Sequence, residues 1–155
     1  MVPAHFAERH GLVVIIALGE SIIALGIAGE VDLTAGVVTA VVLGVALTSA
    51  LWWTYFDVVA LVTARRLTSA AEGRRRNTLA RDSYSYLHFP MVAGIVLGAL
   101  GLEATLRHVT DPLDAERAFA LLGGTAIYLL AHVALRLRNA RTLNVQRFVL
   151  ALALF

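Results

Sequence analysis

The chain contains no cysteine and no lysine, and it has few charged residues for its length. Without cysteine it cannot form a disulfide framework, a thiolate metal site or a thiol nucleophile. Only 15% of its 155 residues are charged and 59% are hydrophobic, with a mean hydropathy of +0.76. This composition excludes a soluble globular domain and is typical of helical membrane proteins. The 13 basic residues, all arginine, fall mainly in connections, so the formal charge of +2 does not indicate a nucleic-acid surface.

Five apolar segments stand out against the roughly 20 residues that a helix needs to cross a bilayer. We predict an all-α fold, a polytopic transmembrane helix bundle with four complete spans and a truncated fifth. Because that fifth segment is too short to cross, the sequence predicts a fragment of a longer protein, whose remaining spans would be its partners in the bilayer. The predicted spans are about 11–29, 34–62, 86–106, 119–137 and 145–155.

The distribution of arginine predicts the orientation of the spans. Six arginines lie in the connection 63–83, and Arg138 and Arg141 lie in the connection after the fourth span. The positive-inside rule places both connections, and the N-terminus, on the cytoplasmic side. We expect the Arg65–Arg81 segment to contact anionic lipid. An aromatic belt at the same interface is predicted for Trp52, Trp53, Tyr55, Phe56, Tyr84 and Tyr86.

A few ionisable residues lie within or beside the apolar segments. Glu20 is in the middle of the apolar run 12–28, where a charge costs roughly 3 kcal/mol and must face protein, water or a partner charge. Helical spacing puts Arg9 and Glu20 on one face of the first helix. Small residues at Gly94 and Gly98 form a GxxxG pattern, which predicts a close helix crossing. The candidate site residues are Glu20 at mid-depth, Glu103 near the outer end, and His5, Glu8, Arg9, Asp57, His88 and His132 near the cytoplasmic end.

Three functions are compatible with this set. In a transporter or an ion- or proton-conducting protein, Glu20 would be the midplane site, and the cytoplasmic-side groups would form a vestibule or relay in which Glu8, Arg9, Asp57 and His88 converge. In a haem- or metal-binding protein, His88 and His132 would be ligands, with Asp57 or Glu8 as a third. In a structural or regulatory subunit, the polar residues would only hold the helices together. An enzyme is disfavoured, because no HExxH or similar motif is present.

Three ordered motifs carry a family resemblance. The segment HFAERHGL at 5–12 runs into IIALGESI at 15–22, and WWTYFD at 52–57 and YSYLHFPMVAGI at 84–95 follow. Together they resemble the bacterial low-temperature-requirement A (LtrA) family. The resemblance implies a multi-pass protein of the bacterial inner membrane, named for a cold-growth phenotype, and it implies no reaction or substrate. The family's motif residues carry over as His5, Glu8, Arg9, Gly19, Glu20, Trp53, Asp57, His88 and Pro90, whereas the span with His132 matches less distinctively.

Overall fold

A computed structural model describes residues 2–26, 33–140 and 145–154 of the chain. Within these residues every regular element is helical and there are no strands, so the predicted all-α fold is confirmed. The α-helices in chain order are α1 (Pro3–Gly26), α2 (Ala35–Thr54), α3 (Ala60–Ser69), α4 (Arg74–Ala80), α5 (His88–Arg107), α6 (Ala115–Ala118), α7 (Gly124–Ala140) and α8 (Val145–Ala153). Arg141, which the sequence places in the fourth connection, lies outside the described residues.

Within the described residues, four helical stretches are long and apolar enough to cross a membrane, as the predicted transmembrane bundle requires. Two of them, of 35 and 34 residues, would be about 50 Å long, well beyond the roughly 30 Å of bilayer hydrocarbon. The ends of these stretches would extend beyond the hydrocarbon, because their amphipathic sequences suit the interface with water. On α3, Thr63 and Leu67 are buried while Arg65 and Arg66 are exposed. The stretches are Pro3–Gly26, Ala35–Ser69, Arg74–Arg107 and Ala115–Asn139.

The predicted connection 63–83 is therefore mostly helical, interrupted only at residues 70–73. Gly73 adopts a φ of 96°, a conformation that glycine tolerates and side chains disfavour. The turn is held by Arg76, whose guanidinium donates to the carbonyl oxygen of Ala70 (3.1 and 2.8 Å) and to the carboxylate of Glu72 (2.8 Å). This tight turn sets α4 back against α3.

Helix α5 lies between α1 and α7 and forms the centre of the bundle. Met91 and Ile95 of α5 pack with Val14 and Leu18 of α1 and with Tyr128 of α7. The outer faces of the helices carry exposed large apolar side chains, as expected of surfaces that face lipid. On α1 and α2 these include Leu12, Ile15, Ile16, Ile22, Ile23, Val42, Leu43 and Trp53.

Glycines bring the backbones of α5 and α7 into direct contact. A Cβ atom at Gly94 would lie 2.6 Å from the carbonyl oxygen of Gly124, and one at Gly101 would collide with the backbone nitrogen of Leu121. At Gly98 an added Cβ would meet nothing closer than 3.9 Å. The close crossing predicted from the GxxxG pattern therefore depends mainly on Gly94, Gly101 and Gly124, where a methyl group does not fit. A methyl group would fit at Gly98, so the crossing depends less on that glycine.

In the part of the chain that the structure describes, three π-helical turns interrupt the long helices, at Tyr55–Val59, Arg81–Tyr86 and Phe119–Gly123. In the first, the N–H of Ala60 donates to the carbonyl oxygen of Tyr55, five residues earlier. In the second, the N–H of Leu87 donates to the carbonyl oxygen of Asp82 at 3.2 Å. Such turns are rare and are found frequently at functional sites. Here they change which side chains share a face on either side of each turn.

We expect Gly101→Ala and Gly94→Ala to destabilise the protein by about 1–3 kcal/mol, because the added methyl group must push two helix backbones apart. Gly98→Ala, on the same helix, is the matched control and should leave the unfolding temperature nearly unchanged. Thermal unfolding of the purified protein in detergent measures both. Equal loss of stability for all three variants would contradict the proposed backbone contact.

Because the chain has no cysteine, single cysteines can report the orientation. Ala71, exposed in the arginine-rich turn, avoids the strained backbone of Gly73, and Thr110 is exposed in the opposite connection. We expect a membrane-impermeant maleimide to label Thr110→Cys in intact spheroplasts and Ala71→Cys only after permeabilisation. The reverse pattern would overturn the predicted cytoplasmic N-terminus.

Candidate functional site

His88 is the centre of a buried polar cluster where α1, α5 and the first π-turn meet. Its side chain is only 4% exposed. Nδ1 lies 2.7 Å from the carbonyl oxygen of Ser83, so this nitrogen carries the proton and donates. Nε2 then accepts a hydrogen bond from the hydroxyl of Tyr55 at 2.8 Å. Both ring nitrogens of a neutral imidazole are thereby satisfied.

Aromatic rings extend this cluster toward α1. The ring of Tyr84 stacks on His88 with centroids 5.1 Å apart, and His10 lies edge-on to both rings, at 5.0 and 5.6 Å. His10 itself donates through Nδ1 to the carbonyl oxygen of Phe6 (2.8 Å). The hydroxyl of Tyr84 is buried and has no hydrogen-bond partner among the described residues, which marks a position for a water molecule or a ligand group. The predicted belt is therefore wrong for Tyr55 and Tyr84, which are core residues.

A second buried network of hydrogen bonds joins three helical segments near His88. The hydroxyl of Ser83 donates to the side-chain oxygen of Asn139 (2.9 Å), and the Asn139 amide donates to the hydroxyl of Thr63 (3.2 Å). Asn139 is 1% exposed. Sequence reasoning missed these three residues, because they lie in or beside arginine-rich segments that were expected to be connections.

His132 forms a separate site between α2, α7 and α8. It is fully buried, and its Nε2 donates to the carbonyl oxygen of Thr54 at 2.8 Å. Nη1 of the Arg147 guanidinium lies 3.0 Å from Nε2 and 3.3 Å from Nδ1 of the same ring. One turn earlier, Tyr128 donates to the carbonyl oxygen of Leu51 at 2.7 Å. The row of Tyr128 and His132 therefore bonds to the backbone of α2 immediately before its π-turn.

The convergence of Glu8, Arg9, Asp57 and His88 stays a prediction for the whole protein, and among the described residues no hydrogen bond or ion pair joins these four to one another. Glu8 is exposed and pairs with His5 one turn earlier, at 3.3 Å. Arg9 is also exposed. Asp57 is exposed on the far side of the π-turn, near enough to Arg147 for electrostatic attraction. The extra residue in the π-turn and the burial of Tyr55 turn Asp57 away from His88.

Glu20 and Glu103 line one groove between α1 and α5, with a volume of about 190 Å³. Its walls are apolar, formed by side chains such as Ile23, Val96 and Leu100. Glu103 pairs with Arg107 at 3.1 Å, one turn further along α5. Within the described part of the chain, no hydrogen bond or ion pair reaches Glu20, whose side chain is exposed at the surface of the bundle. The structure therefore brings Glu20 and Glu103 to one groove, although the sequence analysis placed them at different depths.

The described part of the chain offers no set of ligands for a metal ion. Residues 2–26, 33–140 and 145–154 contain no group of three or more His, Cys, Asp or Glu side chains close enough to hold a metal ion. His88 and His132 each use their ring nitrogens in protein hydrogen bonds. Of the two candidates for a third ligand, Glu8 pairs with His5 and Asp57 is exposed.

Comparison with known proteins adds a relative and a family. The chain is 31% identical over 140 residues to an uncharacterized protein of Rhizobium meliloti (strain 1021). The alignment covers 90% of this chain and 34% of the relative, so the chain spans about a third of that protein's length. No solved structure matches. The model of the bacterial low temperature requirement A protein (LtrA) family matches residues 1–155, which confirms the resemblance carried by the three motifs, and the chain belongs to this family of multi-pass membrane proteins.

Proposed function

We propose that the protein to which this chain belongs moves protons or small cations across the bacterial inner membrane. The observation that carries the proposal is the groove shared by Glu20 and Glu103. Two acidic side chains from different helices face one space within the apolar part of the bundle. Intramembrane carboxyl groups are expensive, and where they occur they commonly mark pathways for ions or protons.

Glu20 in particular needs a polar environment that the described residues do not supply. Hydrocarbon cannot solvate a carboxylate, so Glu20 must face further protein, water or a transported cation. The relative from Rhizobium meliloti is about three times as long as the aligned segment, which leaves room for additional spans over this groove. In the proposed protein, α1 and α5 form one wall of the ion pathway and those spans form the other.

The histidine cluster is the proposed access point on the cytoplasmic side. Tyr55 donates to Nε2 of His88, so the Tyr55 hydroxyl and the imidazole are already arranged for proton exchange. His10, in ring contact with His88, lies between this pair and the N-terminal end of α1. His132, beside Arg147, would tune the electrostatic potential near Asp57.

These two levels are well separated along α1. Glu20 follows His10 by ten positions, which corresponds to about 15 Å of helical rise. The intervening core is apolar and includes Val14, Leu18, Met91 and Ile95. A continuous pathway therefore needs polar groups or water contributed by the rest of the protein.

The orientation and the lipid contacts form part of the same proposal. With the N-terminus cytoplasmic, the histidine cluster lies toward the cytoplasm and Glu103 toward the outside. The arginine-rich Arg65–Arg81 segment then extends into the anionic headgroup region of the inner leaflet.

Glu20→Gln in the full-length protein should abolish pH-dependent ion flux in reconstituted vesicles while leaving the protein folded and inserted, because glutamine keeps the shape of the side chain and removes its charge. Glu116→Gln is the matched control, since Glu116 is exposed on α6 outside the groove. A Glu20→Gln variant with full flux would remove the main support for transport. A variant that does not fold would instead make Glu20 a structural residue.

A structural or regulatory role is the second candidate, and a specific observation favours it. Most polar groups of the buried clusters satisfy one another: Ser83 with Asn139, Asn139 with Thr63, and His88 with Tyr55. Closed networks of this kind fix helix positions and leave little space for a moving ion. In the structural role these hydrogen bonds only fix the helix positions, whereas in the transport role the bond between Tyr55 and His88 also takes part in proton exchange.

Tyr55→Phe tests this difference, because it removes only the hydroxyl that donates to His88 and leaves Nε2 buried without a donor. We expect a loss of about 1–3 kcal/mol of stability. Tyr86→Phe is the control, because Tyr86 is exposed and its hydroxyl has no hydrogen bond among the described residues. If the cluster is purely structural, flux per folded molecule stays unchanged in Tyr55→Phe. Lost flux with unchanged stability would instead assign the cluster to transport.

A further inference from the structure

A separate pocket lies at the end of the bundle that carries the arginine-rich turn. Its volume is about 310 Å³, within the range of small-molecule sites. Three arginines from three different helices line it: Arg66 of α3, Arg75 of α4 and Arg138 of α7. Ser69 and Leu79 complete its walls, and no acidic side chain lines it. This pocket lies outside both sites described above.

The surrounding contacts show how the pocket is built. Arg76 is committed to the turn, through its hydrogen bonds to Ala70 and Glu72, and so fixes the position of α4 relative to α3. This placement brings the preceding residue, Arg75, to the pocket. Arg138 is anchored by one contact with Asp82, at 3.3 Å, and Asp82 also accepts a hydrogen bond from Arg81 at 3.1 Å.

The side chains of Arg66 and Arg75 have no hydrogen bond or ion pair within the part of the chain that the structure describes. Three guanidinium groups around one small space repel one another, and the shared carboxylate of Asp82 offsets only part of that repulsion. An anion in the pocket would remove the repulsion. Guanidinium groups present planar pairs of donors that match phosphate oxygens.

We propose that this pocket binds a phosphate group. The inference is independent of the proposed transport function, and it is more specific than a general attraction of the Arg65–Arg81 segment to anionic lipid. The segment contributes Arg66 and Arg75, but Arg138 comes from another helix, and Arg74 does not line the pocket. Two sources carry the required chemistry, the headgroup of a phospholipid and a soluble phosphate compound.

The full-length protein is purified and reconstituted into nanodiscs of phosphatidylcholine, with or without one-fifth phosphatidylglycerol. Phosphatidylglycerol retained on the protein is measured by native mass spectrometry. In a second arm, inorganic phosphate is titrated into the phosphatidylcholine nanodiscs by calorimetry, with chloride as the reference anion. Arg75→Gln and Arg138→Gln are compared with Arg74→Gln, which removes the same charge from the same helix as Arg75 but outside the pocket.

We expect Arg75→Gln and Arg138→Gln each to weaken binding about tenfold, because each removes charge-assisted hydrogen bonds, and Arg74→Gln to change it less than twofold. Retained phosphatidylglycerol identifies the lipid as the source, and a phosphate isotherm in phosphatidylcholine identifies a soluble ligand. Circular dichroism checks that the variants remain helical, and Arg75→Lys, which keeps the charge, should recover part of the binding. Equal weakening by Arg74→Gln and Arg75→Gln, or no binding in either arm, would overturn the proposal.

Discussion

The bilayer interior offers no hydrogen-bonding partner, and this constraint determines where the polar residues of the chain lie. His88 and His132 are both placed so that the protonated ring nitrogen donates to a backbone carbonyl oxygen. The remaining nitrogen of His88 accepts from the hydroxyl of Tyr55, and the ring of His132 contacts the guanidinium of Arg147. Because partners for every polar atom must come from the protein, each histidine fixes the relative position of at least two helices.

The backbone itself supplies several of these partners, near the π-turns. The carbonyl oxygen of Leu51 accepts from the hydroxyls of both Thr54 and Tyr128, and that of Thr54 accepts from His132. These carbonyls lie immediately before the π-turn at Tyr55–Val59. One turn before Tyr128, Gly124 allows the close approach of α5. Helix α7 is therefore held both by hydrogen bonds to α2 and by backbone packing against α5.

The helical class and the burial of His88 and His132 could be predicted from the sequence. Hydropathy and the cost of polar groups in lipid can both be judged from short segments of sequence. Tyr84 stacks on His88, in keeping with the spacing of four residues between them. The sequence was insufficient where the helices depart from regular geometry. The cost of polar groups in lipid led to the expectation that Asp57 and His88 converge, and the interfacial preference of aromatic residues placed Tyr55 in the belt, but neither argument anticipates the π-turn at Tyr55–Val59.

The network of Ser83, Asn139 and Thr63 was beyond prediction for a different reason. Its members are uncharged and common, and they come together only because α3 and α7 continue beyond the apolar segments. The contacts between His10 and His88 and between Val14 and Met91 align α1 with α5, the two helices that carry Glu20 and Glu103. The buried polar cluster thus sets the geometry of the open acidic groove about 15 Å further along α1. The positions of the two carboxyl groups depend on hydrogen bonds that neither of them makes.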